Sequence, residues 1–496
     1  YWEAHDEPEH LRTIRDRMLR NSRDSKQLLK LYRRILTHGK IPSHHSPETL
    51  ELRLTGIVIK KQGCYVPFNH IYTSVFDRAW VDQELAEMSM PSPTLPRWSV
   101  LAASAFAGIC VIGLRSLGFL EASELKSYDK LMGLRPSEGQ DERLLLITIT
   151  EEDIQAQPIK ERGVASLTDR GLEQLLIKLE RGKPKAIGLD LYRDYPVSPD
   201  FPELAKRLKD AQNLVAICNY DPKIPPPPEV SPDSQGFNTV LLDSDRVLRR
   251  HLLAVGNAQP CLNNYSFNFE LARHYLRDQK INVSSTPDHY LRLDSTIFKT
   301  IDPDTVGYHH ENSSGHQILL NYRATPQIAK TITLSEALSD RFDVNQVKDR
   351  IVLIGTTADS FHDNHWRTPL SESGFGPSKV FAGVEIQAHM LSQILGAVLD
   401  QRPLIWWLPK PAEWLWIGLW AAVGGLIGWQ FGRSLLWFSL SSGVTILVLF
   451  GTCWLVLVVS AGWIPLVPAA WAVMVAGGSM VLLFRWQDSQ HRDSLR

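Results

Sequence analysis

Carboxylates and short polar side chains at the ends of apolar runs are the residues of this chain that could do chemistry. Asp190 closes the run AIGLD, Asp194 follows four positions later, Asn321 sits in ILLNY, Thr356 and Thr357 follow RIVLIG, and Asp363 stands one short loop beyond. Asp243 and Asp245, one residue apart, point the same way on a strand or share a turn. Polar residues at the carboxyl ends of strands form the rim at which open α/β sheets bind ligands, and Thr150 joins them there. Three readings of the acidic set follow. Asp190, Asp243, Asp245 and Asp363 line a pocket for a cationic or metal-bridged ligand. Alternatively they are structural, capping helices or pairing with Arg135, Arg249 or Arg250, which is the commoner fate of such residues. In the third reading they hold Mg²⁺ for a hydrolase. That reading has only the carboxylates behind it: no nucleophile, no GxxxxGK[ST] loop and no histidine pair at metal-ligand spacing is read, and His362 and His365 around Asp363 come nearest. No catalytic residue, metal ligand or cofactor is assigned.

These rim residues need a sheet beneath them. The runs LLLITIT (144–150), AIGLDLY (186–192), LVAIC (214–218), VLRRHLLAVG, ILLNY (318–322) and RIVLIG (350–355) are rich in β-branched residues. Helical patterns over 167–181, 201–210, 265–276, around Leu334 and over 384–399 alternate with them. The fold class is α/β: a mixed, mostly parallel sheet domain over 121–400.

Mean hydropathy of −0.14 hides a strong segregation of apolar residues. Four blocks nearly free of charge, 98–118, 412–431, 435–459 and 463–484, each reach the length of about 20 residues that crosses a hydrocarbon core. Arg433 lies between the second and third blocks, and Arg485, Arg492 and Arg496 follow the fourth. The positive-inside rule therefore places both termini and the tail 485–496 in the cytoplasm and 121–408 outside a plasma membrane, although Arg115 pulls weakly the other way. Gly424, Gly425 and Gly428, with Ala421 and Ala422, offer a small-residue face for helix packing. The lipid bilayer is thus one partner. A net charge of −1 gives no global field toward nucleic acid, and the basic residues between Arg12 and Arg34 read as a solvated helix face. Of five cysteines, Cys110 and Cys453 fall in apolar blocks, which leaves Cys218 and Cys261 to meet in an oxidising compartment or to stay free, the commoner outcome.

Residues 1–85 read as a separate cytoplasmic piece, and 86–97 as a linker. A helical rhythm runs over 8–35 and stops at His38-Gly39-Lys40 and Pro42. Ser46-Pro47-Glu48 begins a second helix expected to continue to Lys61, and GCYVPFN with 70–76 is expected to form a strand pair. Helices followed by a hairpin outline a small winged-helix-like α+β piece. The start at Tyr1, with no Met and no apolar leader, is read as a fragment without a signal peptide.

The runs HLRTIRDRMLRN, LLKLYRRIL and SPETLELRLTGIVIKKQGCYVPFNHIYTSVFD resemble the winged-helix end of the AAA-like ATPases found beside sensor domains in cyanobacteria. Without a phosphate-binding loop, ATP hydrolysis is not expected of this chain. SYDKLMGLRP, DERLLLITITEEDI, AIGLDLYRDYP, DSDRVLRR, ILLNY, KDRIVLIGTTADSFHD and FAGVEIQAHMLSQIL resemble, in order, the CHASE2 extracytoplasmic sensor domain. That resemblance implies one membrane helix before the domain and three after it. It also implies a receptor that senses an unidentified extracytoplasmic ligand and relays it through the membrane to a cytoplasmic AAA-like module, without itself being an enzyme. IKERGV at 159–164 departs from the aromatic stretch usual there, and Arg193 from an apolar position. The competing class is a membrane-anchored scaffold that binds a protein or an envelope polymer. A homodimer is expected only by analogy with membrane sensors, and nucleic acid is not an expected partner.

Overall fold

The computed structural model describes residues 10–19, 22–43, 46–88, 95–163, 165–361, 365–371 and 380–494. It divides into two compact units, Tyr1–Thr94 with Gln487–Arg496, and Leu95–Trp486.

In the first unit, helices His10–Leu19 and Ser22–His38 bury Met18, Leu29, Tyr32 and Ile35 in a shared apolar core with Phe76 and Val81. The helix that starts at Pro47, capped by the Ser46 hydroxyl, ends at Leu54 instead of reaching Lys61. Gly56 takes the left-handed conformation (φ +87°) and stops it. Val58–Lys61 then forms a hairpin with Cys64–Pro67, turned by Gln62 and Gly63, both at positive φ, and Ile41–Pro42 adds a third antiparallel strand. Residues His70–Val75 are a helix, not the expected strand, because the Asn69 side chain accepts the Tyr72 N–H and caps it. The helix Arg78–Glu87, capped by Asp77, follows and takes up the start of the expected linker.

The second unit is built on a sheet of β1 (Leu144–Ile149), β2 (Ala186–Asp190), β3 (Leu214–Tyr220), β4 (Lys223–Ile224), β5 (Gln235–Phe237), β8 (Lys330–Thr333) and β9 (Ile351–Thr356); β6 (Arg250–Ala254) and β7 (His316–Leu319) pair separately. The order is β8-β1-β9-β2-β3, with β5 parallel and β4 antiparallel to β3; all other pairs are parallel. A sheet covered on both faces needs apolar residues at every position, and β1 and β9 are buried throughout. Alternate residues of β1 serve opposite cores. Leu145 and Ile147 join α2 (Asp169–Arg181) and α3 (Pro202–Asp210), whereas Leu144 and Leu146 join α4 (Phe267–Leu276) and α5 (Gly383–Leu399). Cys218 of β3 and Cys261 are disulfide-bonded.

Four helices, Trp98–Ser116, Lys410–Phe431, Leu435–Ser460 and Val467–Gln490, are long and apolar enough to cross a membrane, and the chain is a membrane protein. The glycine face of the second span is divided between two neighbours. A Cβ on Gly424 or Gly428 would strike the fourth span at the carbonyl oxygens of Val473 (2.3 Å) and Gly477 (2.7 Å). One on Gly425 would meet Ser104 of the first span, whose hydroxyl donates to the Ala421 carbonyl at 3.1 Å.

Candidate functional site

Because β2, β3 and β9 run parallel, their carboxyl ends emerge on one edge, and a cavity of about 560 Å³ opens there. Asp190 ends β2, Asn219 lies near the end of β3, Thr356 ends β9, and Gly383 and Gln387 bring in the first turn of α5. Gly355 permits this closure: a Cβ there would lie 2.6 Å from the Val384 Cβ and 3.4 Å from Asp190 Oδ2. Tyr192 OH donates to Asn238 Oδ1 (2.9 Å) and accepts from Asn219 Nδ2 (3.1 Å), and the Thr239 hydroxyl donates to Asn219 in turn. Gln387 Oε1 is held by Asn268 Nδ2 at 2.5 Å. Tyr195, Phe361 and Trp366 supply aromatic wall. Burial raises the Tyr195 phenol above its usual range, so it stays protonated and able to donate. Asp190, Asp194 and Asp221 line the cavity, and among the described residues its lining includes no Lys or Arg. Such a lining suits a compact ligand that carries positive charge and hydrogen-bond donors.

The residues proposed from sequence are distributed over several places. Asp190, Asp194 and Thr356 share the cavity wall. Thr357 lies outside its lining and donates its N–H to the Ile149 carbonyl at 2.9 Å, while Thr150 caps the short helix Glu151–Gln155. Asp363 and His362 fall outside the described residues. Arg193, buried, pairs with Asp169 and donates to the Leu167 carbonyl.

Asp243 and Asp245 are gathered by Arg249, so the pairing reading is the arrangement found for them, away from the cavity lining. Arg249 is completely buried and reaches Asp243 Oδ2 at 2.7 Å, Asp245 Oδ2 at 2.6 Å and Asp129 Oδ2 at 2.6 Å. Arg250 Nε holds the other Asp243 oxygen at 2.7 Å and its Nη2 meets Glu311 at 3.0 Å; Tyr308 OH donates to Asp243 at 3.0 Å. Burial opposes ionisation of Asp245, but the hydrogen bonds and charge of Arg249 outweigh it and hold that carboxyl below its usual range. For Asp129 burial wins, and its carboxyl is raised.

Asn321 is equally committed. Its Oδ1 accepts from Arg135 Nη1 at 2.7 Å and its Nδ2 donates to the Pro403 carbonyl at 2.8 Å. Glu138 bridges Arg135 (2.8 Å) and Arg402 (2.7 Å) beside it.

Of the residues that tie the sheet to the spans, Tyr128 belongs to the run SYDKLMGLRP, whereas Glu124 and Glu413 carry no motif and were not singled out in the sequence. Glu124, on helix α1 (Glu121–Gly133) just after the first span, is fully buried. It accepts the N–H groups of Leu466 (3.1 Å) and Val467 (2.8 Å) at the start of the fourth span, and the Trp463 indole N–H at 3.2 Å. Burial pushes its carboxyl above the usual range against those donors. Tyr128, one turn on, stacks on Trp463 with ring centroids 4.1 Å apart, and Arg115 of the first span pairs with Glu413 of the second. The one available signal was position, an acidic residue a few places beyond an apolar block. Tyr192, Asn219 and Asn238 were missed because no spacing links them; only the strand order brings them together.

The CHASE2 domain family model matches residues 106–426. An uncharacterized WD repeat-containing protein of Synechocystis sp. is 45% identical over 98 residues, which are 20% of this chain and 8% of that protein. The chain therefore matches only a small part of that relative's length. No solved structure matches the chain.

Proposed function

The chain belongs to the CHASE2 domain family of extracytoplasmic sensory domains, and from that premise we propose a membrane-bound receptor that binds a small cationic ligand in the strand-end cavity. The observation that carries the ligand class is the lining: Asp190, Asp194 and Asp221 beside the aromatic faces of Tyr192, Tyr195 and Trp366. Binding without turnover is the reading, since among the described residues the lining holds carboxylates, amides and phenols but no Ser–His or Cys–His pair. Arg433 and Arg485 favour a cytoplasmic position for the turn between the second and third spans and for the end of the fourth. The sheet domain then lies outside a plasma membrane, and the Cys218–Cys261 bond supports the same side, because disulfides persist in oxidising compartments.

Ligand closure would be felt at the spans through packed contacts. Ile386 of α5 lines the cavity and belongs to the apolar cluster that includes Leu449 and Leu457 of the third span and Trp463. Transmission requires that the ligand prefer one of two arrangements of these groups. On the cytoplasmic side, residues 10–87 act in this reading as a winged-helix-like piece that passes the state to an AAA-like module. A scaffold that only anchors a binding domain is the competing reading, and it predicts no change at the spans on ligand binding.

The test is calorimetric titration of the full chain in nanodiscs with choline, with a short diamine, and with the neutral isostere of choline, 3,3-dimethylbutanol. Saturable heat with a cation but not with the isostere, lost in Asp190→Asn, is expected. Equal binding of the neutral compound, or cation binding unchanged in Asp190→Asn, would sink the ligand class. Heat with Mg²⁺ or Ca²⁺ that disappears in Asp190→Asn would replace it by the metal-bridged reading.

A further inference from the structure

A loop on the membrane-facing side of the sheet domain connects it to three spans at once. The Val306 carbonyl accepts from Arg115 of the first span, Asp304 meets Lys410 of the second at 3.2 Å, and Tyr308 packs edge-on against Trp463 before the fourth, with ring centroids 6.0 Å apart. The same loop returns to the sheet through Glu311 on Arg250 and Tyr308 on Asp243. His309 rests over Gly118, which has a positive φ of 78° and a Cβ position that would lie 2.6 Å from the ring, so no other residue fits there without displacing the imidazole.

We propose that Asp304, His309 and His310 of this loop form a zinc-binding site that stiffens the loop and releases it from Lys410 of the second span. The donor atoms, two imidazole nitrogens and one carboxylate oxygen, lie within 4.8 Å of one another. A single ion held about 2 Å from each donor brings any two of them within about 4 Å, so the loop needs to close by only roughly 1 Å. The carboxylate is already fixed for it: His310 N–H donates to Asp304 Oδ1 at 2.9 Å. His310 supplies the adjustable ligand, because its side chain is 76% exposed, and it lies 3.5 Å from Asp304 through Nδ1. The cavity beside the cluster, about 140 Å³, also exposes Ser116 and gives an ion access from solvent. Two imidazoles with one carboxylate are a borderline donor set suited to zinc, and three protein ligands leave a fourth position for water.

Lys410 is the built-in competitor. Its ammonium occupies the Asp304 carboxylate, and an ion must displace it, so zinc exchanges one link between loop and second span for a stiffer one inside the loop. Arg115 does not oppose the ion in the same way, because Glu413 offsets its charge. This site lies apart from the strand-end cavity and stands whether or not that cavity takes a cation.

The experiment titrates ZnCl₂ into the full chain in nanodiscs by calorimetry, with Co²⁺ as a spectroscopic substitute. One zinc per chain is expected, with Co²⁺ d–d bands of nitrogen and oxygen coordination. His310→Asn, whose side chain tolerates the positive φ of 53° at that position, should weaken binding at least about tenfold, the loss typical of even an outer-shell partner. Lys410→Met should tighten it. Absence of zinc binding in a chain folded by circular dichroism would overturn the proposal. So would binding that neither His310→Asn nor His309→Asn alters.

Discussion

Two sets of aspartates in this chain began as equivalents and meet opposite fates. Asp190 and Asp194 border an open cavity whose lining, among the described residues, includes no Lys or Arg, whereas Asp243 and Asp245 lie against a fully buried Arg249 that Asp129 also shares. The difference is set by what the neighbouring strand contributes. Arg249, just before β6, and Arg250, its first residue, both reach Asp243 in the acidic turn, so the charges neutralise one another inside the protein. β2 and β9 end in Asp190 and Thr356 beside Gly355, and the space left is concave and acidic.

The largest effect that tests this contrast is removal of the counter-ion. Arg249→Gln should cost roughly 3–5 kcal/mol, because up to three carboxylates remain desolvated without their partner. Thermal unfolding of the purified protein in detergent would read it, and a loss below about 1 kcal/mol would show that the cluster is solvated and resembles the cavity after all.

The second test is pH. His251, next to Arg250 on β6, is buried and, among the described residues, neither ring nitrogen has a hydrogen-bond partner; burial pushes its pKa down to about 3. The unfolded chain therefore binds a proton that the folded one refuses between pH about 6.5 and about 3, and stability falls as pH falls through that window. Going from pH 7 to 5 should remove about 2 kcal/mol, and His251→Leu should flatten that slope. An unchanged slope in the variant would show that His251 is not the group responsible; the Arg249 cluster would not account for it either, because Asp245, held below its usual range, loses its stabilising charge only below about pH 4.

Asp190→Asn should alter stability by no more than about 1 kcal/mol while abolishing cation binding, which separates a binding carboxylate from a structural one. A large loss of stability would place Asp190 with Asp243. The smallest effect is expected at Asp194, exposed at the rim: Asp194→Asn should change stability by less than about 0.5 kcal/mol and weaken cation affinity only a few-fold. Affinity measured at two ionic strengths would confirm its long-range character, the difference from the native chain shrinking at high salt.

Much of this architecture was legible before any coordinates. Uninterrupted apolar blocks announce membrane helices because lipid offers the backbone no other partner, and the β-branched runs of β1 and β9 announce buried parallel strands. The helix Pro47–Leu54 and the strand after it were run together because apolar periodicity continues across both; the break depends on one backbone torsion at Gly56. The cap at Asn69 was present in the sequence and was overridden by the β-branched and aromatic residues that follow it.

By itself the sequence determined what is local or cumulative: the four spans, the alternation of strands and helices, and the ordered motifs that mark the family, because hydropathy and period are properties of contiguous residues. Tertiary structure alone decided which carboxylates gather around a buried arginine and which face a cavity. Asp129 meets Arg249 across 120 residues and Glu124 meets Val467 across 343, and electrostatic free energy depends on those distances in space and on burial, neither of which is written in the order of the chain.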